Sequence, residues 1–173
     1  MFNLRKKNLS RSQVTPRTIL MDNPHHEWIR EDKLVFRFFK EALELLIETD
    51  FLKLNSEKEL CFLYSPGRYA STLPSSNKYN FIILYPDMIA QVKSVDNSIA
   101  LATLFHEFGH LINDHHSDKR SALIKQIEAD NFAIKYKFEE ELTELLNGEN
   151  RTFEVVKRLE NLQSYLESLS LDQ

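Results

Sequence analysis

The chain has 173 residues, of which 42% are hydrophobic and 28% are charged, the balance of a single globular domain rather than a disordered chain. Its three glycines and five prolines are few for a turn-rich all-β protein, and its one cysteine, Cys61, excludes an internal disulfide framework and a cysteine-based zinc site. Because no apolar run is long enough for a membrane span and no apolar leader is present, we expect a cytoplasmic protein without a membrane partner.

Charge is distributed unevenly along the chain, whose formal net charge is −4. All charged residues before Asp22 are basic, which leaves −9 on the remainder. We interpret residues 1–26, which Pro16 and Pro24 punctuate, as a basic and largely irregular arm in contact with solvent. Because no aromatic residue lies among these basic side chains to stack on bases, and because the body is acidic, we expect no direct binding of nucleic acid.

Apolar residues at helical spacing predict an amphipathic helix from Trp28 to Phe51. Two short strands are predicted next, because Glu59–Tyr64 (ELCFLY) and Tyr79–Tyr85 (YNFIILY) are rich in branched and aromatic residues. A break at residues 65–67 and a polar loop over residues 68–78 separate the two strands.

The second half of the chain is predicted to be helical. A short helical or irregular piece leads to a capped, strongly apolar helix, and two longer helices follow. These segments are Met88–Lys93, residues 98–113, a helix from near Asp118 or Ser121 past Tyr136 to Asn147-Gly148, and Arg151–Leu169.

This order of elements predicts an α+β fold with a small β-sheet and mostly helical mass. We assign residues 27–148 to one domain and residues 149–173 to a C-terminal amphipathic helix. In that helix Val155 and the following leucines recur at coiled-coil spacing for about two heptads. That length is short for a coiled coil, so packing on the domain's own surface is favoured over a dimer or a partner contact.

The chemically informative segment is His106-Glu107-Phe108-Gly109-His110. On an α-helix, residues four apart lie on one face, so both imidazoles can bind a single zinc ion. The Glu107 carboxylate can accept a proton from a water at that ion as it attacks a carbonyl, and can deliver the proton to the leaving amine. The motif therefore predicts a zinc-dependent hydrolase with His106 and His110 as metal ligands and Glu107 as the catalytic base.

A third metal ligand is needed, and the sequence offers several. Glu128, on the following helix, is favoured because a glutamate there commonly completes a two-histidine site. His116 is the alternative, at the spacing of the third histidine of metzincins, although Asn113 occupies the position where their chain turns at a glycine. Asp130 is a further option, which could instead hold a histidine ligand through a hydrogen bond.

Together these residues resemble a known family. HEFGH, followed by EADNFA at residues 128–133, is similar to the HE-x-GH helix and the E-x-E-A-(N/D)-x-F-A helix of the ImmA/IrrE zinc metallopeptidases. The similarity covers about residues 28–140. It departs at Gln126, where the family has a glutamate that gluzincins often use as a ligand, and at residues 134–136, where the family has LLMP.

The resemblance implies a zincin-like metallopeptidase fold with Zn²⁺ as cofactor. It also implies an endopeptidase that cleaves a cytoplasmic protein substrate, such as a helix-turn-helix transcriptional repressor, because relatives are often encoded on mobile elements or beside such a repressor. Because Gln126 and the missing LLMP depart from the family, the alternative is a catalytically weak or inactive zincin-fold protein. Such a protein would bind partners in a phage, mobile-element or toxin–antitoxin circuit.

Peptide hydrolysis at such a site also needs a surface that holds the substrate and a donor for the oxyanion. If Tyr79–Tyr85 is an edge strand, an extended peptide can add to it by β-augmentation. His115, His116 and Tyr136 are candidates for the oxyanion donor, and each could equally be an ordinary surface or core side chain.

Overall fold

A computed structural model describes residues 14–55, 57–67, 70–73 and 78–171. Within these ranges the protein is α+β, with a three-stranded mixed sheet and mostly helical mass, as the sequence predicts. The elements are α1 (Pro16–Asp22), α2 (Glu27–Arg30), α3 (Lys33–Leu45), α4 (Glu48–Asn55), β1 (Glu59–Tyr64), β2 (Ala70–Leu73), β3 (Tyr79–Leu84), α5 (Pro86–Val92), α6 (Ser98–Ile112), α7 (Ala122–Lys135), α8 (Glu139–Asn147) and α9 (Phe153–Leu171). No helix in this part of the chain is both long and apolar enough to cross a bilayer.

The N-terminal segment is helical where the sequence predicts an irregular arm, as far as the structure describes it. Pro16 occupies the first position of α1, where its missing N–H costs nothing and its fixed φ suits a helix. The side chains of Thr15 and Thr18 each accept a hydrogen bond from the other's backbone N–H, which forms a capping box. A 3₁₀ turn over Pro24–His26 follows. Both prolines therefore begin helical segments, and residues 1–13 of the predicted arm lie outside the described residues.

The helix predicted from Trp28 to Phe51 is divided among α2, α3 and α4. Asp32 caps the N-terminus of α3, because its carboxylate accepts hydrogen bonds from the backbone N–H groups of Leu34 and Val35. Leu46 then adopts an extended conformation and ends α3. Apolar periodicity alone could not reveal these breaks, since each of the three helices buries apolar side chains of its own.

The sheet has the order β1-β3-β2, with β3 parallel to β1 and antiparallel to β2. β3 is therefore the central strand, so the condition under which Tyr79–Tyr85 could accept a peptide by β-augmentation, that it is an edge strand, is not met. The edge strand β2 packs against α6 and lies within the segment predicted as a polar loop. Its sequence, ASTL, is too short and too polar to be recognised as a strand, and it forms by pairing with the apolar β3.

Helices α6 and α7 pack closely against each other, and the predicted helix over residues 98–113 is confirmed as α6. Gly109 permits this approach, because a Cβ at that position would lie 2.8 Å from the Cα of Ala129 and 2.9 Å from the Cβ of Phe132. The glycine of the HEFGH segment therefore sets the distance between α6 and the helix that carries Glu128 and Asp130.

The long helix predicted from about residue 118 to Asn147 is two helices, α7 and α8. The backbone of Lys137 between them is left-handed, with a φ of 70°. Phe138 follows this turn and packs its ring 5.0 Å from that of Phe105 in the core. The break thus turns an aromatic side chain inward at a point where the helical pattern appears continuous.

The C-terminal helix α9 packs against α7 and α8, so the favoured prediction that it lies on the domain's own surface is confirmed. Val155 and Leu162 of its apolar stripe are buried. A charged residue, Arg158, is buried between them. The helix therefore contributes a cation to the interior as well as apolar surface.

His26 is a fully buried side chain that joins the N-terminal segment to the sheet. Its Nε2 accepts a hydrogen bond from the backbone N–H of Phe62 at 2.9 Å, so its Nδ1 carries the proton and donates to the carbonyl of Ile19 at 3.0 Å. The ring is neutral in this arrangement. Burial lowers the pKa of His26 to about 4, although the bond to Ile19 opposes the shift.

We expect acidification to destabilise the protein through His26. Its pKa is about 4 in the folded state and 6.5 in the unfolded reference, so the unfolded chain takes up the proton first and stability is lost as the pH falls from 6.5 to 4. The loss should reach about 3 kcal/mol. Urea denaturation across this range should show a smaller loss for His26→Gln, which keeps a donor and an acceptor but does not titrate. Equal losses in both proteins would contradict the assignment.

Candidate metal centre

Helix α6 presents both histidines of the motif, and the glutamate between them, to one cavity. The Nε2 atoms of His106 and His110 lie 3.1 Å apart. Two nitrogen ligands of a tetrahedral zinc ion, each about 2.05 Å from the metal, are separated by about 3.3 Å. The two imidazoles therefore converge at nearly the separation that a shared zinc ion requires.

The Nδ1 atom of His106, the ring nitrogen that does not face His110, is held by the buried ion pair of Asp130 and Arg158. This atom lies 2.8 Å from Oδ1 of Asp130, and Asp130 accepts two hydrogen bonds of 2.7 Å from Arg158 of α9. Burial opposes ionisation of Asp130, but the hydrogen bonds from Arg158 and His106 outweigh it and hold the pKa of this carboxyl below its usual value. Asp130 thereby fixes a proton on Nδ1 of His106 and leaves the Nε2 lone pair directed at the cavity.

The Nδ1 atom of His110, the ring nitrogen that does not face His106, is held by the imidazole of His115. This atom lies 2.7 Å from Nδ1 of His115, and Nε2 of His115 lies 3.0 Å from Oε2 of Glu128. Glu128 accepts hydrogen bonds of 2.5 and 2.8 Å from Arg120. The Arg120 guanidinium, and to a lesser extent His115, lowers the pKa of Glu128, so this line of contacts ends on an ionised carboxylate.

These contacts form one line from Asp130 to Glu128 through the imidazoles of His106, His110 and His115. Each of the four contacts along it needs one hydrogen, but three neutral imidazoles carry only three. Burial, followed by the charges of the neighbouring histidines, lowers the pKa of His110 to about 3, which disfavours a fourth hydrogen there. A cation between the two Nε2 atoms would occupy the contact that lacks a hydrogen, and these two nitrogens could supply two of the three protein ligands that a catalytic zinc ion takes.

Glu107 lines the same cavity and is only 6% exposed. The backbone N–H of Thr72, in the edge strand β2, donates a hydrogen bond to its carboxylate. Burial raises the pKa of Glu107, and the charge of His106 and the bond from Thr72 only partly offset this effect. A carboxyl with a raised pKa can both accept and return a proton, which the predicted catalytic role requires.

The cavity beside the imidazole pair has a volume of about 510 Å³, within the range of ligand clefts. Strand β2 borders one side of it, and the rest of its described lining comes from α6, α7, α8 and α9, the turn after α6 and the segment between α8 and α9. The lining residues are Ala70, Ser71, Thr72, Thr103, His106, Glu107, His110, His115, His116, Ala122, Lys125, Gln126, Leu145, Glu149 and Arg158.

Glu128, the favoured third ligand, has no hydrogen bond to His106 or His110 and reaches His110 only through His115. Its partners are His115 and Arg120. Across the ranges that the structure describes, no cluster of three or more histidine, cysteine, aspartate or glutamate side chains has the geometry of a metal site. Among the described α7 residues that line the cavity, which are Ala122, Lys125 and Gln126, Gln126 is the one whose side chain carries an oxygen.

The other candidates from the sequence have partners of their own. Nε2 of His116 lies 2.8 Å from Oγ1 of Thr72. Asn113, where a metzincin-like chain would turn through a left-handed residue, has a φ of −90°. Tyr136, a candidate oxyanion donor, instead donates its hydroxyl proton to the carboxylate of Asp50. The structure thus brings His106, Glu107 and His110 together and gives Asp130 the hydrogen bond to a histidine that the sequence allowed.

Sequence reasoning missed Arg158, Thr72 and the role of His115 as the partner of His110. A signal for Arg158 was present, because it lies three residues after Val155 and four before Leu162, on the apolar face of α9. A charge at such a position needs a buried partner. No comparable signal marked Thr72, since the short strand that carries it depends on β3 for its formation.

Comparison with known proteins gives no relative. The chain matches no family model, and no curated protein and no solved structure matches it. The resemblance to ImmA/IrrE proteins therefore stays a prediction.

Replacing Arg158 with Met should lower the free energy of unfolding by about 3–5 kcal/mol, because it leaves the buried carboxylate of Asp130 without its cation. Arg151→Met is the matched control, since Arg151 is exposed and bonds to the side chain of Asn147. We expect the control to change stability by no more than about 0.5 kcal/mol. Urea denaturation measures both variants, and equal stabilities would contradict a structural role for the Arg158–Asp130 pair.

Proposed function

We propose that this protein is a zinc-dependent endopeptidase of the ImmA/IrrE type, with a zincin-like fold, that hydrolyses a peptide bond in a protein substrate. The observation that carries the proposal is the 3.1 Å approach of the His106 and His110 Nε2 atoms beside the buried carboxylate of Glu107. His106 and His110 bind Zn²⁺ and Glu107 is the catalytic base. The missing hydrogen in the line of contacts through these rings supports a cation at this point.

The chemistry follows from the position of Glu107. When bound, zinc would act as a Lewis acid that polarises the substrate carbonyl and lowers the pKa of the attacking water. Glu107 accepts a proton from the attacking water, whose oxygen forms a bond to the carbonyl carbon. The C–N bond then breaks as Glu107 delivers this proton to the leaving amine. The raised pKa of Glu107 suits both proton transfers.

The edge strand β2 is the surface that suits an extended substrate. It borders the cavity. Within the described ranges, β2 pairs with β3 along one side, and no strand pairs with its other side. A peptide added on the other side would bind through main-chain hydrogen bonds, with pockets for alternate side chains. Because the N–H of Thr72 bonds to Glu107, the base is tied to this strand. The resemblance to ImmA/IrrE proteins favours a cytoplasmic helix-turn-helix repressor as the substrate.

A second function is favoured by one observation on α7. Gln126 lines the cavity at the position where the family has a glutamate, while both oxygens of Glu128 are engaged by Arg120. Side-chain amides are not among the usual ligands of zinc in proteins. With weak metal binding, the same scaffold would serve as a catalytically weak or inactive binding protein in a phage, mobile-element or toxin–antitoxin circuit.

Zinc content after dialysis, together with cleavage of a peptide library followed by mass spectrometry, tests the peptidase. The wild type should hold one zinc ion per chain and cleave peptides. Glu107→Gln should keep its zinc but lose at least about 100-fold in cleavage rate, since a general base typically contributes about 10²–10⁴-fold. His106→Ala should lose both zinc and cleavage.

Glu44→Ala provides the control for these variants. Glu44 is an exposed residue of α3 that pairs with Lys40, and its removal should leave zinc content and cleavage unchanged. Cleavage that persists in Glu107→Gln would contradict the assigned base. A wild type that binds a protein partner equally well with and without a chelator, and cleaves nothing, would favour the second function.

A further inference from the structure

We infer that His115, Glu128 and Arg120 form a hydrogen-bonded support that positions the imidazole of His110 for zinc. This inference rests on the proposed function. It makes Glu128 a positioning residue and not a metal ligand, and it assigns the His115 ring to the support of His110 and not to an oxyanion.

The chain reverses directly after α6 so that His115 returns to His110. Asp114, with a left-handed φ of 48°, makes the turn, and the backbone N–H of His115 donates to the carbonyl of His110 at 3.1 Å. The side chains then meet through their Nδ1 atoms at 2.7 Å. His115 is only 4% exposed, so its ring is confined in this position.

The proposed binding of zinc by Nε2 of His110 would set the direction of the hydrogen bonds. With Nε2 of His110 directed at zinc, its Nδ1 carries the hydrogen and donates to Nδ1 of His115. His115 then carries its own hydrogen on Nε2 and donates it to Oε2 of Glu128, 3.0 Å away. Each step fixes the tautomer of the next ring, and the line ends on an ionised acceptor, which strengthens the bonds before it.

Arg120 holds the carboxylate of Glu128 in this place. Its two terminal nitrogens bond to the two oxygens of Glu128 at 2.5 and 2.8 Å, in a parallel fork. The carboxylate is thereby held ionised and fixed in orientation, with Oε2 shared between Arg120 and His115. His106 has the equivalent support in Asp130 and Arg158, so each histidine of the pair depends on an arginine–carboxylate unit.

Zinc affinity measured by chelator competition, on the full chain, tests this role. Glu128→Ala should still bind one zinc ion per chain, but about 10–100-fold more weakly, the usual effect of removing a partner behind a metal ligand. Glu128→Gln should lose less, because its amide oxygen can still accept from His115. Glu44→Ala is the control and should bind zinc as the wild type does. Glu128 is about one-third exposed, so these variants are expected to fold.

Two spectroscopic readouts separate positioning from ligation. The absorption bands of bound Co²⁺ should keep their positions in Glu128→Ala, because the ligands do not change. Nitrogen-15 spectra of the zinc-loaded wild type should show His115 with its hydrogen on Nε2.

Several outcomes would overturn the inference. Complete loss of zinc or a shifted Co²⁺ spectrum in Glu128→Ala would identify Glu128 as a ligand, and an affinity equal to that of Glu44→Ala would show that it gives no support. A His115 ring with its hydrogen on Nδ1 would exclude the proposed direction of the bonds. A wild type that binds no zinc would overturn the peptidase proposal and this inference together, whereas normal wild-type binding with an unaffected Glu128→Ala would overturn the inference alone.

Discussion

The alignment of three imidazole rings between two ionised carboxylates is the constraint on which the candidate site depends. Asp130 and Glu128 are ionised because each is paired with an arginine, and neutral rings between two such acceptors carry too few hydrogens to fill every contact. The deficit falls where the Nε2 atoms of His106 and His110 converge. The proposed zinc ion would occupy this contact.

The fold supplies this alignment through the close packing of two helices. Gly109 lets α7 approach α6, and α7 then provides both carboxylates. Because residues two apart on a helix point in different directions, Asp130 is buried beside His106 whereas Glu128 reaches the outer side of the site. A buried carboxylate is stable only with its partner, and α9 provides it in Arg158. The C-terminal helix, which the sequence marks only as an amphipathic element, is thus part of the site.

The local features of the site could be predicted from the sequence, and the long-range ones could not. The spacing of His106 and His110 is a property of one helix, so the sequence predicts that both rings lie on one face, and in the structure they line one cavity together with Glu107. The third-ligand assignment to Glu128 depended on how α7 is rotated against α6, which no local pattern encodes. The same holds for β2, which forms only by pairing with β3, and for the division of the helix before Phe51, which rests on the cap at Asp32.

Anomalous X-ray scattering at the zinc absorption edge, from crystals of the zinc-loaded protein, decides whether a zinc ion lies between the two rings. We expect one peak about 2.0–2.1 Å from the Nε2 atoms of both His106 and His110. Asp130 and His115 should remain on the Nδ1 atoms of these rings. The absence of a peak between the two rings, or a zinc ion bound by the carboxylate of Glu128, would contradict it.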